Sequence, residues 1–161
     1  MSTVPTGGGA SLPLEMIDQQ IAYRFFDEVY SQQKPDVCAL LVSANALSHT
    51  PEGEFHGPAG VEQFVAVLES AFPNASYTIQ EMVADADVVT VRWNMAGIHE
   101  QPFHGVAATG APVELEGAAM LRFDNHLNVE GWMSYDRIGL LEQIQSHVPL
   151  DDRICPPCRE P

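Results

Sequence analysis

A single carboxylate sits where a sheet protein can place an acid or base. The run Gly131-Trp132-Met133-Ser134-Tyr135-Asp136 is aromatic and extended, and the residues from Arg137 to Ile144 turn at once into an amphipathic helix. Asp136 therefore ends a strand where a concave sheet meets a covering helix. Period-2 alternation puts Asp136 on one face with Ser134, Trp132 and Glu130, and Tyr135, Met133 and Val129 on the other. If the Trp132 face looks into an enclosed apolar space, Asp136 is partly desolvated, as a general acid/base near neutral pH requires. The competing reading is an N-cap on the following helix, a position that favours Asp, and the two roles are compatible.

Four histidines come next. His49 precedes the turn Pro51-Glu52-Gly53, where it can bond a ligand carbonyl, tune Asp136 or simply face water. His99 and His104 flank a loop over residues 101–110. With His49 and His56 they raise the question of a metal, yet no His-x-x-x-His or His-x-His spacing occurs and the four lie on different elements, so no metal is expected. Trp93 and Trp132 can stack on a planar ligand or fill the core. Arg122, inside a sheet, would need Glu114, Glu116 or a ligand anion as partner; on the outer face it suits a dimer contact. Nucleophilic catalysis lacks a Gly-x-Ser-x-Gly, and the glycines of 105–110 lack the lysine of a phosphate loop.

Composition narrows the rest. The 161 residues fit one domain, with 45% hydrophobic and 18% charged residues. Twenty-two acids face 7 bases, for a net charge of −15, with Lys34 the sole lysine. So few cations disfavour nucleic acid and anionic membranes as partners. The chain has no apolar run of 18 residues and no basic-then-apolar leader, so a cytoplasmic location is expected. Cys38 reads as a small core residue, and Cys155-Pro-Pro-Cys158, without a second pair, as neither a zinc site nor a redox motif.

Three helices precede the long strands. Leu14, Ile17, Ile21, Phe25 and Val29 recur at helical spacing within 13–30, a short helix follows at 36–41, and Val61, Phe64, Val65 and Leu68 mark a third over 61–72. Residues 43–50 predict an irregular stretch or short strand. Alternation then predicts strands over 76–83, 88–99, 113–123 and 128–135. The order is α+β: three or four meandering antiparallel strands in a curved sheet, with helices on one face, forming a cone with an apolar interior and one open mouth. Residues 1–11 read as a disordered N-terminus, 12–148 as the domain and 149–161 as a Pro- and Cys-containing tail.

Taken in order, several segments resemble the SnoaL-like polyketide cyclase family. They are Val89 to Gly97 with His99, Phe103-His104-Gly105-Val106-Ala107-Ala108-Thr109-Gly110, Arg122-Phe123, and Trp132 with Asp136 to Gln143. The resemblance implies the nuclear transport factor 2-like cone, usually as a homodimer, and ring closure by intramolecular aldol condensation without a metal or organic cofactor. It makes Asp136 the acid/base and places His49 as a polar substrate contact. Met120 and Arg122 become lining positions where the cyclases carry amide or imidazole groups. Trp93, His99, His104 and Trp132 complete the expected substrate site, and the expected ligand is a small, largely apolar carbonyl compound. Isomerisation belongs to the same first reading; a non-catalytic binding or dimerisation module and a hydrolase or dehydratase using the same carboxylate are the alternatives.

Overall fold

The computed structural model describes residues 13–147. The N-terminal segment 1–11 and the tail with Cys155 and Cys158 lie outside the described residues. Helix α1 (Leu14–Arg24) runs on into a π-helical turn, Phe25–Ser31. The π turn buries Phe25, Phe26, Val29 and Tyr30. A 3-10 turn (Pro35–Val37) and α2 (Cys38–Leu41) lead into β1 (Val42–Thr50) and β2 (Gly53–His56). Helix α3 (Gly57–Ala71) starts at Gly57, whose φ of +64° suits a residue without a Cβ, and has a proline in its first turn. Strands β3 (Ser76–Asp85), β4 (Val88–Ile98), β5 (Pro112–Asp124) and β6 (Leu127–Tyr135) follow, and α4 (Arg137–Gln145) closes the described chain.

The strands form one six-stranded sheet in the order β2-β1-β6-β5-β4-β3. Four strands were legible as alternation; β1 and β2 are added beside β6 outside the expected antiparallel meander, with β1 parallel to β6. Beyond its buried Val42 and Ala46, β1 shows little apolar alternation, so its sequence signal is weak. Tertiary pairing defines it: antiparallel to β2 and parallel to β6, with His49 beside Trp132 and Ser48 beside Gly131.

Register settles which face is inside. Val89, Val91, Trp93 and Met95 of β4 stand opposite Leu121, Ala119, Gly117 and Leu115 of β5, and those four residues of β4 are at most 1% exposed. On β6 the same face carries Gly131, Met133 and Tyr135. The helices cover this face, Phe64 of α3 meeting Phe55 of β2 and Phe26 meeting Trp93. Glu130, Trp132 and Ser134 therefore point outward with Met120 and Arg122. The Trp132 face is the outer surface of the cone.

Candidate functional site

Among the described residues, a cavity of about 30 Å³ is lined by Tyr30, Ser48, Phe64, Leu121 and Met133 among others, and two expected site residues, His49 and Trp132, also form part of its wall. It exists because Ala119 and Gly131, on neighbouring strands, bring almost no side chain to the inner face. Asn128 borders it and is 6% exposed; its Nδ2 donates to the carbonyls of Arg122 (3.1 Å) and Glu130 (3.0 Å), pinning the register shift between β5 and β6. A larger groove of about 670 Å³ lies at the far end, between the start of α1 and the β5–β6 turn. Its lining mixes Leu14 and Phe123 with the acids Glu15, Asp18, Asp87 and Asp124, and His126 Nδ1 lies 3.0 Å from Asp18 Oδ1.

One step along β1 and β6 from the cavity, a polar cluster closes the sheet end. Tyr135 is 8% exposed, and its hydroxyl donates to Glu52 Oε1 at 2.7 Å. His104 Nε2 lies 2.8 Å from Glu52 Oε2, and Arg137 Nη1 reaches the same oxygen at 3.6 Å while donating to the Pro51 carbonyl at 2.9 Å. The Glu52 side chain is 7% exposed. Burial raises the Tyr135 phenol well above its ordinary range, and acceptance of its proton by Glu52 adds to this. The turn, the 99–111 loop and the start of α4 thus meet on one carboxylate.

Asp136 stands beside this cluster but faces water. Its Oδ1 accepts the Gly139 N–H at 2.8 Å, so it is the N-cap of α4, and it does not line the cavity. His49 lies apart from it on the outer surface. There it stacks on Trp132 (centroids 5.4 Å) and pairs with Glu54 (3.2 Å) and Glu130 (3.1 Å). Arg122 also sits over the Trp132 ring, 5.3 Å from its centroid, and pairs with Glu130 (3.0 Å) and Asp87 (3.7 Å), in place of Glu114 or Glu116. Met120, 37% exposed, shares this surface. The structure therefore gathers His49, Met120, Arg122 and Trp132 with their charged partners on the convex side, while His49 and Trp132 also contribute to the wall of the cavity.

The remaining expected residues lie inside or at the rim. Trp93 is 1% exposed, and its Nε1 has no hydrogen-bond partner. His99 is fully buried against Phe72; its Nδ1 accepts the Thr109 N–H at 3.3 Å, and burial lowers its pKa. It fastens the 99–111 loop rather than flanking an opening. His104 holds a positive φ of +45° in that loop and is the one expected ligand contact in the Glu52 cluster. Cys38 is buried, and burial pushes its thiol up to about 12, consistent with a core residue. Among the described residues, no three His, Cys, Asp or Glu side chains converge as a metal centre would need.

Sequence reasoning missed Glu52, Tyr135 and Arg137 as a unit. Glu52 reads as turn chemistry, and Tyr135 lies on the strand face opposite the one first considered. It missed Glu69 as well, a carboxyl on α3 with one buried oxygen unpaired, whose pKa burial raises. Nothing local marks these residues, since the hydroxyl of Tyr135 meets a carboxylate 83 positions away.

The fold has close counterparts among solved structures. A SnoaL-like polyketide cyclase candidate from Jannaschia sp. CCS1 superposes with a TM-score of 0.78 at 22% identity, over 88% of this chain and 99% of that one. A candidate polyketide cyclase from Acidithiobacillus ferrooxidans gives 0.73 at 25% identity, over 85% and 100%. A protein with a ketosteroid isomerase-like fold from Catenulispora acidiphila gives 0.66 at 18%, over 82% and 95%. No curated protein matches the chain in sequence. The sequence profile of one family matches residues 20–144, most of the chain and all of the sheet, and on that match the protein belongs to the SnoaL-like polyketide cyclase family.

Proposed function

We propose that the protein is a cofactor-independent acid/base enzyme acting on a small, largely apolar carbonyl compound, by aldol cyclisation or isomerisation, with Glu52 as the proton-transferring group. The observation that carries this reading is the buried Glu52 carboxyl, joined by Tyr135, His104 and Arg137 one step beyond an apolar cavity. Glu52 takes the proton from the carbon alpha to the carbonyl, leaving an enolate. In an aldol closure the enolate carbon then forms the new C–C bond to a second carbonyl carbon, whose π electrons move to oxygen. That alkoxide takes back the proton held by Glu52. In isomerisation the proton returns to a different carbon.

Asp136, the acid/base of the family resemblance, sits one residue beyond Tyr135 and is the natural control. Deuterium uptake alpha to the carbonyl of a simple aryl ketone in D2O measures proton abstraction without knowledge of the native substrate. Glu52→Gln should slow exchange by roughly 10²-fold, and Asp136→Asn should leave it near wild type. The reverse pattern would move the base to Asp136.

A cavity of about 30 Å³ holds little more than a water or two, so a ketone requires outward movement of flexible lining such as Met133. That small volume and the exposed cap at Asp136 favour the second reading, a non-catalytic small-ligand module; exchange no faster than in buffer, with ligand binding retained, would establish it. Homodimerisation belongs to the same proposal. The convex surface offers Met120 and Trp132 among paired charges, a mixture suited to a second copy of the chain.

A further inference from the structure

Gly131 leaves a gap on the inner face of β6, and two oxygens border it. A Cβ at that position would stand 3.7 Å from Asn128 Oδ1, 3.9 Å from Ser48 Oγ and 3.4 Å from Leu121 Cδ2. All four residues line the cavity, with Ser48 beside Gly131 on β1 and Leu121 opposite it on β5. The amide of Asn128 has one workable orientation. Its nitrogen donates to the carbonyls of Arg122 and Glu130, and a flipped amide would set oxygen against both. Oδ1 is therefore a fixed acceptor on a residue only 6% exposed. Among the described residues, neither that oxygen nor the Ser48 hydroxyl meets a hydrogen-bond partner. A buried acceptor held in place and left unpaired calls for a physical reason.

The chemistry of the lining says what could pair with it. Oδ1 can be used only by a donor, so an ether oxygen or a carboxylate gains nothing there. A cationic donor is disfavoured as well, because the lining contains no Asp or Glu and an ammonium among Phe64, Leu121 and Met133 would lose its hydration without a counter-charge. A neutral hydroxyl fits. It donates to Asn128 Oδ1, and Ser48, which can donate or accept, completes its second bond. The rings of Phe25, Tyr30 and Phe64 in the same lining suit an aromatic carrier for that hydroxyl.

We propose that Asn128 Oδ1 and Ser48 Oγ form a hydroxyl-binding subsite that holds an aromatic hydroxyl of the ligand over Gly131. This rests on the reading of the cone interior as the ligand site, and the ring enters by the same movement of Met133 that a ketone requires. The probes are 4-fluorophenol and 4-fluorotoluene, which carries a methyl group in place of the hydroxyl, each titrated by 19F NMR. Apolar burial alone would favour the toluene. The subsite reverses that order: 4-fluorophenol should bind saturably and about tenfold more tightly, the scale of one hydrogen bond. Gly131→Ala should cancel the difference, since its Cβ takes the space before both oxygens at ordinary contact distances. If that variant does not fold, Ser48→Ala decides instead, and it should weaken 4-fluorophenol binding alone. Equal or tighter binding of the toluene, no saturable binding of the phenol, or a preference that persists in the deciding variant would overturn the proposal. Neither probe has a hydrogen alpha to a carbonyl, so their binding is read apart from proton abstraction. Deuterium uptake by the ketone without the phenol preference would sink the subsite and spare the acid/base reading. The preference without uptake would do the opposite.

Discussion

Asp136 accepts the Gly139 N–H, so Asp136→Ala should cost about 1 kcal/mol of stability, visible as a lowered thermal midpoint. Gly139→Ala should cost a comparable amount, because its Cβ would occupy the place of Asp136 Oδ2 and push the cap away. A purely catalytic Asp136 would leave the midpoint unchanged in both variants. His99 makes a separate prediction about pH. Burial disfavours its imidazolium, so the folded chain takes that proton at lower pH than the unfolded chain, whose ordinary value is 6.5. Between the two values the unfolded state binds more protons, so this contribution is present above about 6.5 and is lost as the pH falls through it toward the folded value. Urea midpoints at neutral and mildly acid pH should therefore differ less in His99→Gln than in the wild type. At this scale the sequence was partly legible: Asp136 was weighed as a cap because Asp followed by a helical run is a local signal. Glu52 was not, because its partners come from β6, the 99–111 loop and α4.

Elements decide which side chains can meet. The alternation of β6 was readable, but either face could have been the interior, since a strand's own residues do not say where the helices lie. The Trp132 face is the one through which Asp136 would have been desolvated. The helices instead cover the face of Tyr135, Met133 and Gly131, and the Trp132 ring stacks on His49 and under Arg122. Gly117 is the counterpart on β5: it leaves the room that Trp93 fills. Gly117→Ala should destabilise the fold by about 2 kcal/mol through overpacking, measurable by chemical denaturation, and Gly105→Ala, where a Cβ meets open space, should show only the smaller strain of its φ of +82°. An equal cost at both positions would mean that the indole does not depend on that gap. Strand β1 was faint in sequence for a related reason, its identity coming from the strands on either side.

For the whole molecule, the convex surface carries the proposed dimer contact. Met120→Glu together with Trp132→Glu should leave the inner core intact and shift a homodimer to a monomer in light scattering; an unchanged mass would place any dimer contact elsewhere. Among the described residues no helix is long and apolar enough to cross a membrane. The sequence by itself determined the α+β class, the helices before the long strands, most of the inner-face residues of β4 and the family, because periodicity and ordered motifs are properties of neighbouring residues. Only the tertiary structure decided that Trp132, Arg122, Met120 and His49 share an outer surface, that Asp136 caps α4 in water, and that Glu52 is enclosed by Tyr135, His104 and Arg137. Those facts depend on which face the helices cover and on contacts between residues far apart in the chain, and local pattern contains neither.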